Sequence, residues 1–189
     1  YSNSACGVCG KRTLASLEVL GPVLTSELRV QRRLLGTLPD RLRAAQVAFQ
    51  KTGGMHASGL FTPEGQLIAA REDVGRHNAL DKLIGWALAE GRVPLTDCIL
   101  AVSGRVSFEL VQKAIAASLP LIAAVGAPSS LALELCDRFG VLLAEDTRFF
   151  DCLVGYFFIS GFHKLHPALM KTEKVRILIG IKTDRVTYE

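Results

Sequence analysis

The chain has 189 residues, 49% of them hydrophobic, and its 22 lysines and arginines against 18 aspartates and glutamates give a net charge of +4. Its mean hydropathy of +0.30 excludes a disordered chain. The longest apolar stretches run to about a dozen residues, short of the 18 or more that a membrane-spanning helix needs. We therefore expect a folded α/β chain with neither a membrane nor a nucleic acid as partner.

The five cysteines do not form the pattern of a secreted protein. Cys6 and Cys9 form a CxxC motif, whereas Cys98, Cys136 and Cys152 are scattered through apolar segments and are predicted to be core residues. An odd, scattered set is unlike a disulfide framework, which indicates a reducing cytoplasm. The chain begins with Tyr rather than Met, as a piece of a longer protein would.

The first predicted elements follow the CxxC motif. Residues 24–54 predict two short helices, the second with apolar positions at Leu42, Val47 and Phe49 and an end at Gly53. MHASGLF and QLIAARE, joined by TPEG, predict a β-hairpin.

Strands and helices then alternate. RHNALDKLIGWALAEG predicts a helix, DCILAVSG a strand, SFELVQKAIAAS a helix, PLIAAVGAP a strand, SSLALELCDRFG a helix and VLLA a strand. Such alternation predicts a mixed sheet covered by helices. We assign residues 1–24 to the CxxC lead-in, 25–144 to an α/β cofactor-binding domain, and 145–189 to a divergent segment packed on that domain, with VRILIGI as its last strand. One face of the helix RHNALDKLIGWALAEG is predicted to carry five apolar residues, Leu80, Leu83, Ile84, Ala87 and Leu88.

Two strand-to-helix turns share a Gly-Arg dipeptide, DVGRHN at 73–78 and VSGRVS at 102–107. Free N–H groups and the helix dipole make such a turn an anion site, and a guanidinium adds a bidentate partner for phosphate. Taken singly, glycine and arginine are ordinary loop residues, but two parallel copies favour a phosphorylated ligand. The residues beside them include His77, Asn78, Ser103 and Ser107.

Four further polar positions lie near these turns. Asp81 is four residues after His77, so its carboxylate could orient the imidazole, and Glu72 and Asp73 precede the same turn. A capping cluster is an equally good interpretation of these residues. His56, at a glycine-rich entry to a strand, is a candidate ligand contact or a structural histidine.

The CxxC motif leaves three uses open. A zinc site needs four ligands, and the only other pair with ligand spacing, His163 and His166, is far along the chain, so no structural metal is expected. A thioredoxin-type site needs its CxxC between a strand and a helix, but only five residues precede this one. An accessible thiolate beside basic residues in a glycine-rich segment suits a third use, which is to accept sulfur in one place and deliver it in another.

Four segments, CGVCGK, TGGMHASGLF, REDVGRHNALDKLIG and SGRVSFELVQKA, in this order, closely resemble the FdhD-type formate dehydrogenase accessory proteins. The resemblance implies a cytidine-deaminase-like three-layer α/β fold and a persulfide on the CxxC motif. It implies that sulfur passes from a cysteine desulfurase to the molybdenum bis(molybdopterin guanine dinucleotide) cofactor of formate dehydrogenase. It further implies a homodimer and GDP as a mimic of the cofactor.

Carried to this sequence, the resemblance makes Cys6 the sulfur carrier and Cys9 its helper. It places two runs near the cofactor's phosphates or guanine, one at 75–78 and one at 103–105, and leaves Arg148, in AEDTRFFDC, as the candidate contact from the carboxyl-terminal end. The first run comprises Gly75, Arg76, His77 and Asn78, and the second Ser103, Gly104 and Arg105.

Two rival functions remain to be separated from sulfur transfer. A zinc deaminase needs His-x-Glu and Pro-Cys-x-x-Cys, and this chain has His56-Ala57-Ser58 with no later Pro-Cys-x-x-Cys, which excludes deaminase chemistry. The other rival is a guanine-nucleotide or cofactor-binding module without sulfur transfer of its own.

Overall fold

The computed structural model describes residues 21–145, 149–154 and 174–179. Within them are six helices and seven strands. The helices are α1 (Arg32–Leu35), α2 (Leu38–Ala44), α3 (Val47–Thr52), α4 (Arg76–Ala89), α5 (Phe108–Ala116) and α6 (Ser130–Phe139). The strands are β1 (His56–Phe61), β2 (Leu67–Asp73), β3 (Ile99–Arg105), β4 (Leu121–Gly126), β5 (Leu142–Glu145), β6 (Phe149–Val154) and β7 (Lys174–Ile179).

Five strands form a mixed sheet in the order β2-β1-β3-β4-β5. β1 is antiparallel to β2 and to β3, whereas β3, β4 and β5 are parallel to one another. β2 therefore runs in the same direction as β3, and the carboxyl ends of β2 to β5 share one edge of the sheet with the start of β1. This edge is called the carboxyl edge below.

Hydrophobic cores lie on both faces of this sheet. Along β3 the side chains alternate, so that Ile99 and Ala101 join a core with Leu38 and Leu42 of α2. Leu100 and Val102 join a larger core with buried residues of α4, α5 and α6 on the other face. The predicted three-layer α/β arrangement with a mixed sheet between helices is confirmed.

Helix α4 begins and ends close to the predicted positions, but its apolar stripe is wider than the face it buries. Leu80, Leu83 and Ala87 are fully buried and Ile84 is partly buried, whereas Leu88 is 67% exposed. The prediction that Leu88 shares the buried face is wrong, because the stripe drifts around the helix and its last position faces away from the sheet.

The segment before the sheet forms three short helices instead of the predicted two. A proline in the first turn of α2, Pro39, suits the start of a helix and separates α2 from α1. Leu42 is buried in α2, but Val47 and Phe49 belong to the separate α3, which ends as predicted at Gly53 in the left-handed conformation.

The start of α3 is capped from a distance. The two carboxylate oxygens of Glu72, on β2, accept hydrogen bonds from the N–H groups of Ala48 and Phe49, each at 2.8 Å. These are donors that the first turn of a helix leaves without intrahelical partners. Glu72 thus fastens α3 to the sheet; the capping interpretation places this residue at the start of the following helix, α4, instead.

We expect Glu72→Ala to lower the free energy of unfolding by about 1–3 kcal/mol, because two charge-assisted hydrogen bonds are lost. Urea denaturation measures the change. Glu134→Ala, at an exposed position of α6, is the matched control and should change stability by less than about 0.5 kcal/mol. Equal losses in the two variants would contradict the capping role.

The chain divides into two compact units, Tyr1–Asp146 and Thr147–Glu189. In the second, β6 and β7 pair in parallel, with Phe149 opposite Lys174. β7 overlaps VRILIGI at residues 175–179, so the predicted last strand is present. The packing of this unit on the first stays a prediction.

Candidate functional site

The turn from β2 to α4 (residues 73–78) and the turn from β3 to α5 (residues 102–107) are called the twin turns, and both lie at the carboxyl edge. β1, which separates their strands in the sheet, starts at this edge, because His56 pairs with Asp73. The fold therefore brings together the two Gly-Arg turns that the sequence set apart, and it brings His56 between them.

A side-chain hydrogen bond joins the twin turns directly. His77 Nε2 lies 3.0 Å from Ser107 Oγ and 3.8 Å from Glu109 Oε2. Asp81, which was expected to orient the imidazole, forms an ion pair with Lys113 of α5 instead. That expectation is wrong because α5 packs beside α4 and supplies the partners of both side chains.

The pKa values of His77 and Glu109 favour a neutral imidazole beside a charged carboxylate. Partial burial and the neighbouring Arg76 charge lower the pKa of His77, outweighing the Glu109 charge. For Glu109, burial acts to raise the pKa, but hydrogen bonds from Ser107 and its own backbone, with the charges of His77 and Arg76, lower it overall. At neutral pH His77, Ser107 and Glu109 therefore form a polar network with one negative charge, on Glu109.

Asp73 organises the first twin turn. Its Oδ1 accepts hydrogen bonds from the Gly75 N–H at 2.9 Å and from Asn78 Nδ2 at 3.2 Å, and its Oδ2 pairs with Lys82. The Lys82 bond, followed by those from Gly75 and Asn78, lowers the pKa of Asp73 to about 2. The Asn78 amide, a predicted cofactor contact, therefore holds the turn in shape.

The Asp73 contacts predict a pH dependence of stability. Since its pKa is below the ordinary value of 3.8 for an aspartate, its contribution is complete above about pH 4 and disappears as the pH falls towards 2. We expect Asp73→Asn to be less stable than the parent at pH 6 and to approach it near pH 2. Denaturant unfolding across this range tests it, with Asp137→Asn, an exposed position of α6, as control. A constant difference at every pH would contradict this origin.

The helix starts at the twin turns have no side-chain cap from their cap residues, although the Glu109 carboxylate accepts a hydrogen bond from its own N–H in the first turn of α5. Neither Gly75, which precedes α4, nor Ser107, which precedes α5, makes a side-chain capping hydrogen bond. Arg76 is exposed in the first turn of α4. Arg105 is also exposed, but it is the last residue of β3, opposite Gly126, and not in the first turn of α5 as predicted. Val106 and the cap Ser107 separate it from the helix.

Two other predicted residues have structural partners at this edge. Ser103 Oγ accepts a hydrogen bond from the Ala57 N–H at 2.8 Å, tying β3 to β1. A Cβ atom at Gly104 would lie 3.3 Å from His56 Nδ1, so glycine permits the imidazole to pack on the β3 backbone. The edge therefore fits an anionic group between two open helix starts, with Arg76 and Arg105 as exposed cations.

The predicted thiols, Cys6 and Cys9, and the predicted contact Arg148 lie outside the described residues, as does the side chain of Cys152. Cys98 and Cys136 are buried core residues, as predicted. Burial, with help from the adjacent Asp97 and Asp137, raises the pKa of each thiol to about 11. In the part of the chain that the structure describes, no cluster of three or more His, Cys, Asp or Glu side chains could hold a metal ion.

Two clefts open elsewhere on the first unit. One, of about 420 Å³, lies between Arg32, Leu35 and the alanine-rich surface of β4 and β5. The other, of about 590 Å³, lies beside the turn between β1 and β2. No helix among the described residues is both long and apolar enough to cross a bilayer.

Comparison with known proteins agrees with the resemblance seen in the sequence. The model of the FdhD/NarQ family matches residues 1–154. The chain is 53% identical over 151 residues to a protein named sulfur carrier protein FdhD from Streptomyces avermitilis, covering 78% of this chain and 54% of that protein. A protein of the same name from Saccharolobus solfataricus is 44% identical over 141 residues, covering 75% of this chain and 53% of its own length.

A solved structure is similar as well. The crystal structure of a protein described as a formate dehydrogenase accessory protein, from Desulfotalea psychrophila, has a TM-score of 0.58 at 29% identity. The alignment covers 67% of this chain and 52% of that one. The chain thus spans about half the length of the relatives it matches. Because the family model matches most of its residues, the chain belongs to the FdhD/NarQ family.

Proposed function

We propose that this chain is a sulfur carrier that takes persulfide sulfur from a cysteine desulfurase and passes it to the molybdenum bis(molybdopterin guanine dinucleotide) cofactor, for use in formate dehydrogenase. The observation that carries this proposal is its identity of about half to relatives named sulfur carrier protein. The relative described as a formate dehydrogenase accessory protein supports formate dehydrogenase as the enzyme that is served.

The chemistry assigned to Cys6 is an exchange without net oxidation. Its thiolate attacks the outer sulfur of the desulfurase persulfide, a new S–S bond forms on Cys6, and the desulfurase cysteine leaves as a thiolate. Cys9 is proposed to assist this exchange as a neighbouring thiol. The buried Cys98 and Cys136, with pKa values of about 11, are poor acceptors at neutral pH.

The twin turns are proposed as the place where the cofactor is bound. Open N–H groups at the starts of α4 and α5, with Arg76 and Arg105, suit a diphosphate. Of the other predicted contacts, His77 and Gly104 line the same edge, and Arg148 is retained as a proposal. We also propose that the chain works in the cytoplasm as a homodimer.

The experiment is an intact-mass measurement after incubation with a cysteine desulfurase and cysteine. We expect a gain of one sulfur atom that a reducing thiol removes, with peptide mapping placing it on Cys6. Omission of the desulfurase is the control. No gain of mass, in a sample that still binds GDP, would contradict sulfur transfer.

That last outcome would support the alternative function, a guanine-nucleotide or cofactor-binding module or chaperone without sulfur transfer. It is favoured by the make-up of the twin turns, since their open helix starts, exposed arginines and the His77–Ser107 tie require no thiol. GDP binding that persists when both CxxC cysteines are replaced would show that binding the nucleotide does not depend on the residues that deliver sulfur.

A further inference from the structure

The larger cleft, of about 590 Å³, has a basic lining and is called the arginine cleft. It lies between the segment that leads into α1 and α2 and the turn that joins β1 to β2. Its side chains comprise three arginines, one glutamate, two other polar residues and two apolar residues. They are Arg29, Arg33, Arg41, Glu64, Gln31, Thr37, Leu34 and Pro63.

Two of its guanidinium groups are held in place by neutral partners. Arg33 Nε donates to Gln31 Oε1 at 2.8 Å, and Arg41 Nη1 donates to the carbonyl oxygen of Gly65. A guanidinium has five N–H donors, so most remain available in each case. None of the ion pairs formed within residues 21–145 includes Arg29, Arg33 or Arg41.

The floor of the arginine cleft is closely packed. Gly65 lies in the β1–β2 turn with a φ of +81°, and a Cβ atom there would be 2.5 Å from Leu34 Cδ1 and 2.9 Å from Arg41 Nη1. Glycine therefore permits this turn to seat against α1 and α2. The β1–β2 turn is thus packed against Leu34 and Arg41, both of which line the cleft.

We propose that the arginine cleft binds an acidic segment of a partner protein. The three arginines and one glutamate leave a net charge of +2, and arginine pairs with carboxylates in a bidentate manner. All three arginines are exposed, so each single ion pair contributes little, and a chain with several carboxylates gains by engaging them together. Leu34 and Pro63 suit an apolar side chain between the acidic ones.

Two features argue against other occupants. The lining has no aromatic side chain on which a nucleobase could stack. The cleft also lies beside the β1–β2 turn, at the end of β1 opposite the twin turns, so its ligand is separate from the one held there.

The test uses a dye-labelled Glu-Glu-Leu-Glu-Glu-Leu peptide and fluorescence anisotropy at low salt. We expect saturable binding that falls at least about tenfold for the double variant Arg29→Gln/Arg33→Gln and weakens steeply as salt is added. Both side chains are exposed, so circular dichroism should show an unchanged fold. The matched control is Arg92→Gln/Arg138→Gln, which removes the same charge from exposed positions elsewhere and should bind like the parent.

Three outcomes would overturn the proposal. Equal weakening in both double variants would show attraction to net charge alone. Equal binding of the corresponding Gln-Gln-Leu-Gln-Gln-Leu peptide would remove the role of carboxylates. Competition by inorganic phosphate or by oligodeoxythymidine at lower concentration than the unlabelled peptide would point to a different class of ligand.

Discussion

Replacing Cys6 with alanine is expected to abolish persulfide formation and activation of formate dehydrogenase. In the proposed mechanism the Cys6 thiolate is the nucleophile that receives the sulfur, and an alanine side chain has no such group. We expect the thermal unfolding midpoint to stay unchanged. Intact mass after reaction with the desulfurase measures the first effect, and recovery of formate oxidation in cells that lack the family protein measures the second.

Cys9→Ala is the matched comparison. We expect a milder or comparable loss of transfer, because a neighbouring thiol assists exchange. A persulfide that forms at the parental level on the Cys6→Ala chain, at Cys98 or Cys136, would remove Cys6 from the mechanism. The buried positions of those two thiols make this outcome a sharp test.

The second large effect concerns the twin turns. We expect GDP to bind, and Arg76→Ala or Arg105→Ala to weaken binding about ten- to a hundredfold. Each change removes charge-assisted hydrogen bonds that contribute about 1.5–3 kcal/mol, and about 1.4 kcal/mol corresponds to a factor of ten. Isothermal calorimetry on the folded variants gives the dissociation constants, and added salt should weaken the parent more than either variant.

Arg138→Ala, at an exposed position of α6, is the control and should bind GDP like the parent. Adenine nucleotides serve as a second comparison and should bind less well if the base is also read. Parental affinity in both arginine variants would show that the twin turns are only connections, and the nucleotide part of the proposed function would fail.

The elements with a local signal were predictable from the sequence. The β1–β2 hairpin follows from two alternating segments around TPEG, and α4 to α6 follow from apolar residues at helical spacing. The position of the twin turns at one edge was predictable as well, because strands that alternate with helices in a mixed sheet tend to end together.

The ties between elements were not predictable, because they depend on how the elements pack. Glu72 caps α3, whose first turn is 23 or 24 residues earlier in the chain. Likewise Asp81 pairs with Lys113 instead of His77, and Glu109 lies near the His77 imidazole. Both contacts exist only because α5 lies beside α4. Ser107 stood out in the sequence only as a neighbour of its turn, and a helix start at Ser-x-Glu was the one available signal for Glu109.

The direction of β1 has a thermodynamic consequence. This strand starts at the twin turns and ends at the turn beside the arginine cleft, and its six residues span about 20 Å at roughly 3.3 Å per residue. Charges that far apart in water are screened from each other at physiological salt. The ligands of the twin turns and of the arginine cleft would therefore bind in random order and form a ternary complex. Each would bind with the same affinity whether or not the other is present, unless the sheet itself changes shape.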